Sequence, residues 1–215
     1  MNALRAIRNY FCYCGIEKDE YNALKKDAYV ANFEVWRLLH CLMLTVFAGL
    51  LSVSLFNEMV RVNRLFYLAI FIYSAASAAG FFLLKKDSLL AQLWIYLTIS
   101  VLFLFAAFLA QSKPDTPATT FIVLLVITPM FMIDKPFFMA IELCAAAAVY
   151  LTWMHGVKPH MVWLYDFINV VTYTLIGVFL HIIANSIRIR EFVLTRKINI
   201  QKDTDEMTGL KTRPR

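Results

Sequence analysis

Three groups of polar residues stand inside or beside long apolar stretches. An ionisable side chain near the centre of a bilayer costs at least ~2.5 kcal/mol, so such groups are candidates for function. Glu142 lies about two turns into an apolar run that begins after Lys135-Pro136, next to the small residues Ala145–Ala148. Asp166, Asn169 and Tyr173 recur at spacings of three and four, which places them on one face of a helix. Trp153, His155, His160, Trp163 and Tyr165 flank the start of that stripe. A polar stripe capped by aromatics could line a pocket for a small-molecule signal, open to the outside. An interfacial aromatic belt combined with interhelical hydrogen bonds gives the same pattern.

The remaining reactive residue types point away from chemistry. Cys12 and Cys14 form a C-x-C without the second pair a zinc site needs, and Cys41 and Cys144 fall in apolar segments, so all four read as reduced structural cysteines. His155, His160 and Asp166 lack any metal-ligand spacing, and His40 and His181 read as structural. Glycine-rich phosphate loops, HExxH and a nucleophile elbow are absent from the sequence. No catalytic residue, metal site or cofactor is therefore expected in this chain.

The elements that position these residues are membrane spans. Of 215 residues 60% are hydrophobic and only 17% charged, well above the 45–50% apolar content of soluble domains. The polar first 36 residues are not a signal peptide. From Asp19 a helix is expected with Tyr21, Leu24, Ala28, Ala31 and Val35 on one face and Lys18, Asn22, Lys25, Lys26 and Glu34 largely on the other. Such a helix either lies along an anionic leaflet or packs on the protein's own cytoplasmic face. Six spans follow, at about Leu38–Phe56, Leu65–Leu84, Leu89–Ala110, Ala118–Ile133, Pro136–Met154 and Val162–Ile187. Ser74–Gly80 is a small-residue stretch suited to close helix packing. Thr116 and Pro117 suit a helix cap and first helical position, and Pro129 predicts a kink in the short fourth span. The fold class expected is all-α integral membrane, with six transmembrane helices.

Charge sets the orientation. With the N-terminus inside, 17 of the 21 Lys and Arg residues face the cytoplasm, and only Arg61, Arg64, Lys113 and Lys158 face out. Both termini are thus expected to be cytoplasmic. The net charge of +6 then has a membrane explanation, and a nucleic-acid partner is not required.

Beyond Ile187 the sixth helix is expected to continue, since no Gly or Pro intervenes before Gly209. Ile187, Leu194 and Ile198 form a partial seam that Glu191 and Gln201 interrupt. Then comes Asp205-Glu206-Met207-Thr208-Gly209-Leu210-Lys211-Thr212-Arg213. This segment resembles the D-x-L-T-G-L-x-N-R signature that opens GGDEF domains, the diguanylate cyclase family. Asp205, Thr208, Gly209, Leu210 and Arg213 match, while Met207 stands for the usual Leu and Thr212 for the usual Asn. Gly209 would end the helix, with Asp205 and Thr208 bonding the turn. The family's GG[DE][ED]F loop and its carboxylates are absent, so the chain reads as cut at the entrance of that domain.

The expected organisation is a cytoplasmic tail (1–36), a six-helix sensory module (37–187), a helical signalling linker (188–204) and the start of a GGDEF domain (205–215). The resemblance implies a multi-pass protein of the bacterial cytoplasmic membrane whose catalytic part makes cyclic di-GMP from GTP with Mg²⁺. Because two such domains must meet, it also implies a homodimer. A small transporter or channel using Glu142 and the Asp166 stripe, and a structural membrane adaptor, are the alternatives.

Overall fold

The computed structural model describes residues 3–202, and every regular element among them is helical. In chain order these are α1 (Ala3–Tyr13), α2 (Lys18–Phe56), the single turn α3 (Glu58–Arg61), α4 (Arg64–Phe81) and α5 (Leu89–Ser112). Next come α6 (Thr119–Ile127), which runs into a 3-10 turn (Thr128–Phe131), then α7 (Pro136–His155) and α8 (His160–Lys202). Helices α2, α4, α5, α7 and α8 are long and apolar enough to cross a membrane, whereas Thr119–Phe131 is shorter. Their outer faces carry exposed Leu42, Leu65, Leu93, Phe179 and Ile183. Apolar surface on this scale suits lipid rather than water.

Helix α2 joins the amphipathic tail and the first apolar stretch without a break. Asp19 and Glu20 in its first turn complement the helix dipole, and no Gly or Pro occurs before Gly49. The apolar face of its first half packs on the protein itself: Tyr21, Leu24 and Ala28 are buried against Cys14, Ile133 and Ile189. Val35, expected on that face, is exposed, and Asn32 and Trp36 are buried in its place. Helix α8 is likewise unbroken over 43 residues.

Contacts sort the connections to two ends of the bundle. At one end Lys158 Nζ, after α7, donates to the carbonyl of Thr116, after α5. At the other, Cys14 Sγ donates to the carbonyl of Asp134 (3.5 Å), Lys86 pairs with Glu34, and Lys197 lies 3.7 Å from Glu20. The two chain ends as far as they are described therefore lie together, beside the α4–α5 and α6–α7 connections.

The core is built from α2, α5, α6, α7 and α8 around Trp36, Ile95, Ile99, Phe121, Leu125, Leu143 and Tyr150. The Phe121 and Tyr150 rings stack with centroids 4.2 Å apart. Gly177 is where α8 crosses α6: a Cβ there would sit 2.3 Å from the Leu125 carbonyl oxygen. Only glycine permits that backbone approach.

Two local expectations change. Helix α6 starts at Thr119 with Ala118 as its cap, not at Pro117 capped by Thr116. The reason is tertiary: the Ala118 amide donates to Asp166 Oδ1 (3.0 Å), while the Thr116 hydroxyl turns back to the Lys113 carbonyl. At Pro129 the helix does more than kink. Lacking an N–H, proline leaves the Leu125 carbonyl without its helical donor, and the chain tightens into the 3-10 turn and then extends through Met132.

Candidate functional site

Irregular backbone among apolar helices is tolerated only where protein groups satisfy it. The segment 129–134 meets that demand almost wholly from side chains. Trp36 Nε1 donates to the Phe131 carbonyl (3.0 Å). Asn32 closes a reciprocal pair with Ile133, accepting from its amide and donating to its carbonyl, both at 2.8 Å, and also donates to Gln92 Oε1. His181 Nδ1 meets the Pro129 carbonyl at 2.7 Å, and Asn185 Nδ2 and Cys14 Sγ both donate to the Asp134 carbonyl. One short stretch of chain thereby holds the end of α1, α2, α5 and α8 together.

The Asp134 side chain adds an electrostatic element. Its Oδ1 lies 2.8 Å from His181 Nε2. The carbonyl of Pro129 requires the proton on His181 Nδ1, and Asn185 Nδ2 also approaches Nε2 at 2.8 Å. Burial raises the Asp134 carboxyl above the ordinary carboxylate range, opposed by the hydrogen bond and charge of His181 and by Asn185. Its second oxygen, Oδ2, is buried without a protein partner. Nearby, burial and then the Asp134 charge push the Cys14 thiol up to about 12, so it is inert as a nucleophile near neutral pH. Cys14 closes α1 at φ 54°, followed by Gly15 at 81°.

Beside this hub lies a cavity of about 420 Å³ between α2, α5 and α7. Lys25, Lys135, Tyr21, Asp134, Tyr96 and Glu142 line it together with Leu89, Leu93, Phe138 and Ile141.

The residues singled out from sequence separate. Glu142 is half-buried and accepts a hydrogen bond from Ser100 Oγ (2.6 Å), bridging α7 to α5, and it faces the cavity. Asp166 is fully buried at the opposite end of the bundle. It takes Lys158 Nζ at 2.6 Å, Tyr150 OH at 2.6 Å and the Ala118 amide at 3.0 Å. Asp166 is thus the N-terminal cap of α6, delivered by α8, with its charge balanced by Lys158. Asn169 is half-buried and Tyr173 is exposed on the outer face, so the three do not converge on one point. His155, Trp163 and Phe167 form an aromatic ladder at that end, with centroids 4.8 and 5.5 Å apart. Among the described residues no group of three His, Cys, Asp or Glu could hold a metal. The motif residues Asp205, Met207, Thr208, Gly209, Leu210 and Arg213 lie outside the described residues.

Asn32, Gln92, Asp134, Lys158 and Asn185 escaped the sequence reading. Their signal was a polar side chain in or next to an apolar run, and the i, i+4 pair His181/Asn185 beside it. His40, read as structural, lies in the packed interior. It is buried among Trp36, Ser77 and Thr98, with Ser77 Oγ 2.8 Å from Nε2 and Trp94 donating to Ser77. No protein-family model matches the chain, and neither curated proteins nor solved structures give a match.

Proposed function

We propose that the chain is the membrane input module of a bacterial signalling protein. In this reading it crosses the cytoplasmic membrane six times, with both termini in the cytoplasm. The fourth crossing consists of α6, the 3-10 turn and the extended residues up to Ile133. Helix α8 relays changes in the bundle to a diguanylate cyclase domain entered at Asp205, and the Mg²⁺ and GTP belong to that domain. The observation that carries the proposal is α8 itself: one helix is anchored through Asp166 at the outer end, latched to Asp134 by His181 and Asn185 at the inner end, and continuous to Lys202. A rigid helix held at both points carries a shift of either toward its C-terminal end, where Arg196 donates to the Ala23 carbonyl and Lys197 lies beside Glu20 on α2. Leu194 and Ile198, exposed on that stretch, offer a seam for a second copy, in keeping with a homodimer.

The test is the reading frame after Arg215 and the product it encodes. The frame should enter a domain with a GG[DE][ED]F loop, and the full protein should make cyclic di-GMP at a rate altered by His181→Ala. An unrelated continuation, or output indifferent to His181→Ala, defeats the proposal. The transporter reading draws on the helix broken at Pro129. Against it, the carbonyls of residues 129, 131, 133 and 134 are already occupied by the protein's own donors. Solute flux in liposomes that Glu142→Gln abolishes would favour that reading instead.

A further inference from the structure

The cavity between α2, α5 and α7 combines features that select one class of ligand. Its rim toward the surface is apolar: Leu89 and Leu93 on α5 and Phe138 and Ile141 on α7 are each at least half exposed. Between the two helices this makes an open groove. At the end nearest the chain termini it meets two ammonium groups, those of Lys25 and Lys135. Neither is in an ion pair among the described residues. Lys25 lies over the Tyr29 ring at 5.4 Å, and Lys135 over Tyr13 and Tyr21 at 5.5 and 5.9 Å. Tyr96 and Asp134 also line the cavity, but the Tyr96 hydroxyl and Oδ2 of Asp134 are themselves buried. Glu142, the other carboxyl lining the cavity, lies seven residues beyond Lys135 on α7, roughly 10 Å deeper, and is engaged by Ser100.

We infer that this cavity is a binding site for one anionic phospholipid of the cytoplasmic leaflet. Its phosphate sits between Lys25 and Lys135, and an acyl chain lies between α5 and α7 over Leu93 and Ile141. Two ammonium groups without acidic partners complement a phosphodiester, and the apolar walls open sideways as a lipid tail requires. Basic pockets between spans at the cytoplasmic face are suited to such headgroups. Because Lys135 adjoins Asp134, the lipid would touch the segment that latches α8. The inference rests on the membrane placement proposed above and not on any signalling output.

The test is native mass spectrometry of the delipidated full chain in detergent, titrated with phosphatidylglycerol and phosphatidylcholine of matched chains. Each lysine at an anionic headgroup contributes a factor of roughly five, so phosphatidylglycerol should be retained roughly thirtyfold over phosphatidylcholine. Lys25→Gln/Lys135→Gln should bring the two lipids level, Lys113→Gln at the other end should leave the preference unchanged, and Ile141→Trp should remove the adduct by filling the groove. Equal retention of both lipids by the unaltered chain overturns the inference, and this measurement requires no variant to fold. A preference that survives the double substitution, or glycerol phosphate binding as well as the lipid, overturns it too. The assay ignores orientation in the membrane and enzymatic output, so the lipid site and the input-module reading fail separately.

Discussion

Replacing Lys158 by Met tests the anchor that starts α6. Both side chains of the Lys158–Asp166 pair are fully buried, with 2.6 Å between Nζ and Oδ2. Lys158→Met removes the countercharge and leaves the carboxylate with two neutral donors, Tyr150 OH and the Ala118 amide. Breaking a buried pair on one side costs about 3–5 kcal/mol, whereas an exposed pair is worth about 0–1 kcal/mol. The unfolding equilibrium should therefore rise by a factor on the order of a hundred to several thousand. Reversible unfolding in mixed micelles, followed by far-ultraviolet circular dichroism, measures it. Asp166→Asn in the Lys158→Met background removes the stranded charge and keeps the side chain's shape. The double variant should be more stable than the sum of the single losses by more than about 1 kcal/mol, the coupling expected of residues in contact. Hydrogen exchange at the Ala118 amide gives a local readout, slow in the parent and fast in Asp166→Ala. A single-substitution loss below about 1 kcal/mol together with additive energies would mean that the pair is solvated, and the anchoring argument would fall.

Gly177→Ala should destabilise the bundle by about 1–3 kcal/mol or more, because its Cβ meets the backbone of α6. Gly49→Ala, which meets nothing within 4 Å, should be neutral or stabilising by about 0.5–1 kcal/mol in the same assay. Asn32→Leu strands the amide and carbonyl of Ile133, at about 1–3 kcal/mol for each buried group, and a loss no larger than that of Asn22→Leu on the exposed face would contradict the hub. Cys14 should resist maleimide at pH 8 in the folded chain and react once denatured. The raised thiol also predicts a pH dependence: the unfolded thiol ionises near 9.0 while the folded one keeps its proton to about 12, so stability should fall as pH climbs through that window. Cys14→Ala should flatten that component, and an unchanged alkaline slope would disprove the assignment.

Periodicity and length made the helices legible, because an apolar run of about 20 residues has few other fates. The continuation of α8 beyond Ile187 was likewise readable, because no Gly or Pro follows before Gly209. Partner identity was not legible. Asp166 stood out as an intramembrane charge, yet nothing near it in sequence says that it caps a helix 48 residues earlier. Asp134 did not stand out, since the side chains that make it a hub arrive from the end of α1 and from α8, 120 and 47 residues away. The stripe of Asp166, Asn169 and Tyr173 is real as a helical period: the first and last are seven residues apart and only about 20° apart around the axis. They differ along the axis, by roughly 10 Å, and only Asp166 has Lys158 and Tyr150 packed on it, whereas Tyr173 is exposed.

The side-chain scaffold around residues 129–134 also bears on how the protein is made. Thr119–Phe131 measures roughly 20 Å, short of the ~30 Å hydrocarbon core. The Pro129 and Asp134 carbonyls gain donors from His181 and Asn185, which leave the ribosome some fifty residues later. At the translocon this segment is therefore an incomplete passenger that enters beside α7 with polar backbone still unmet. A nascent chain stopped before His181 should expose Pro129–Asp134 to protease, and one extended past Asn185 should protect it. The last of the described helices is the one that supplies donors for the Pro129 and Asp134 carbonyls.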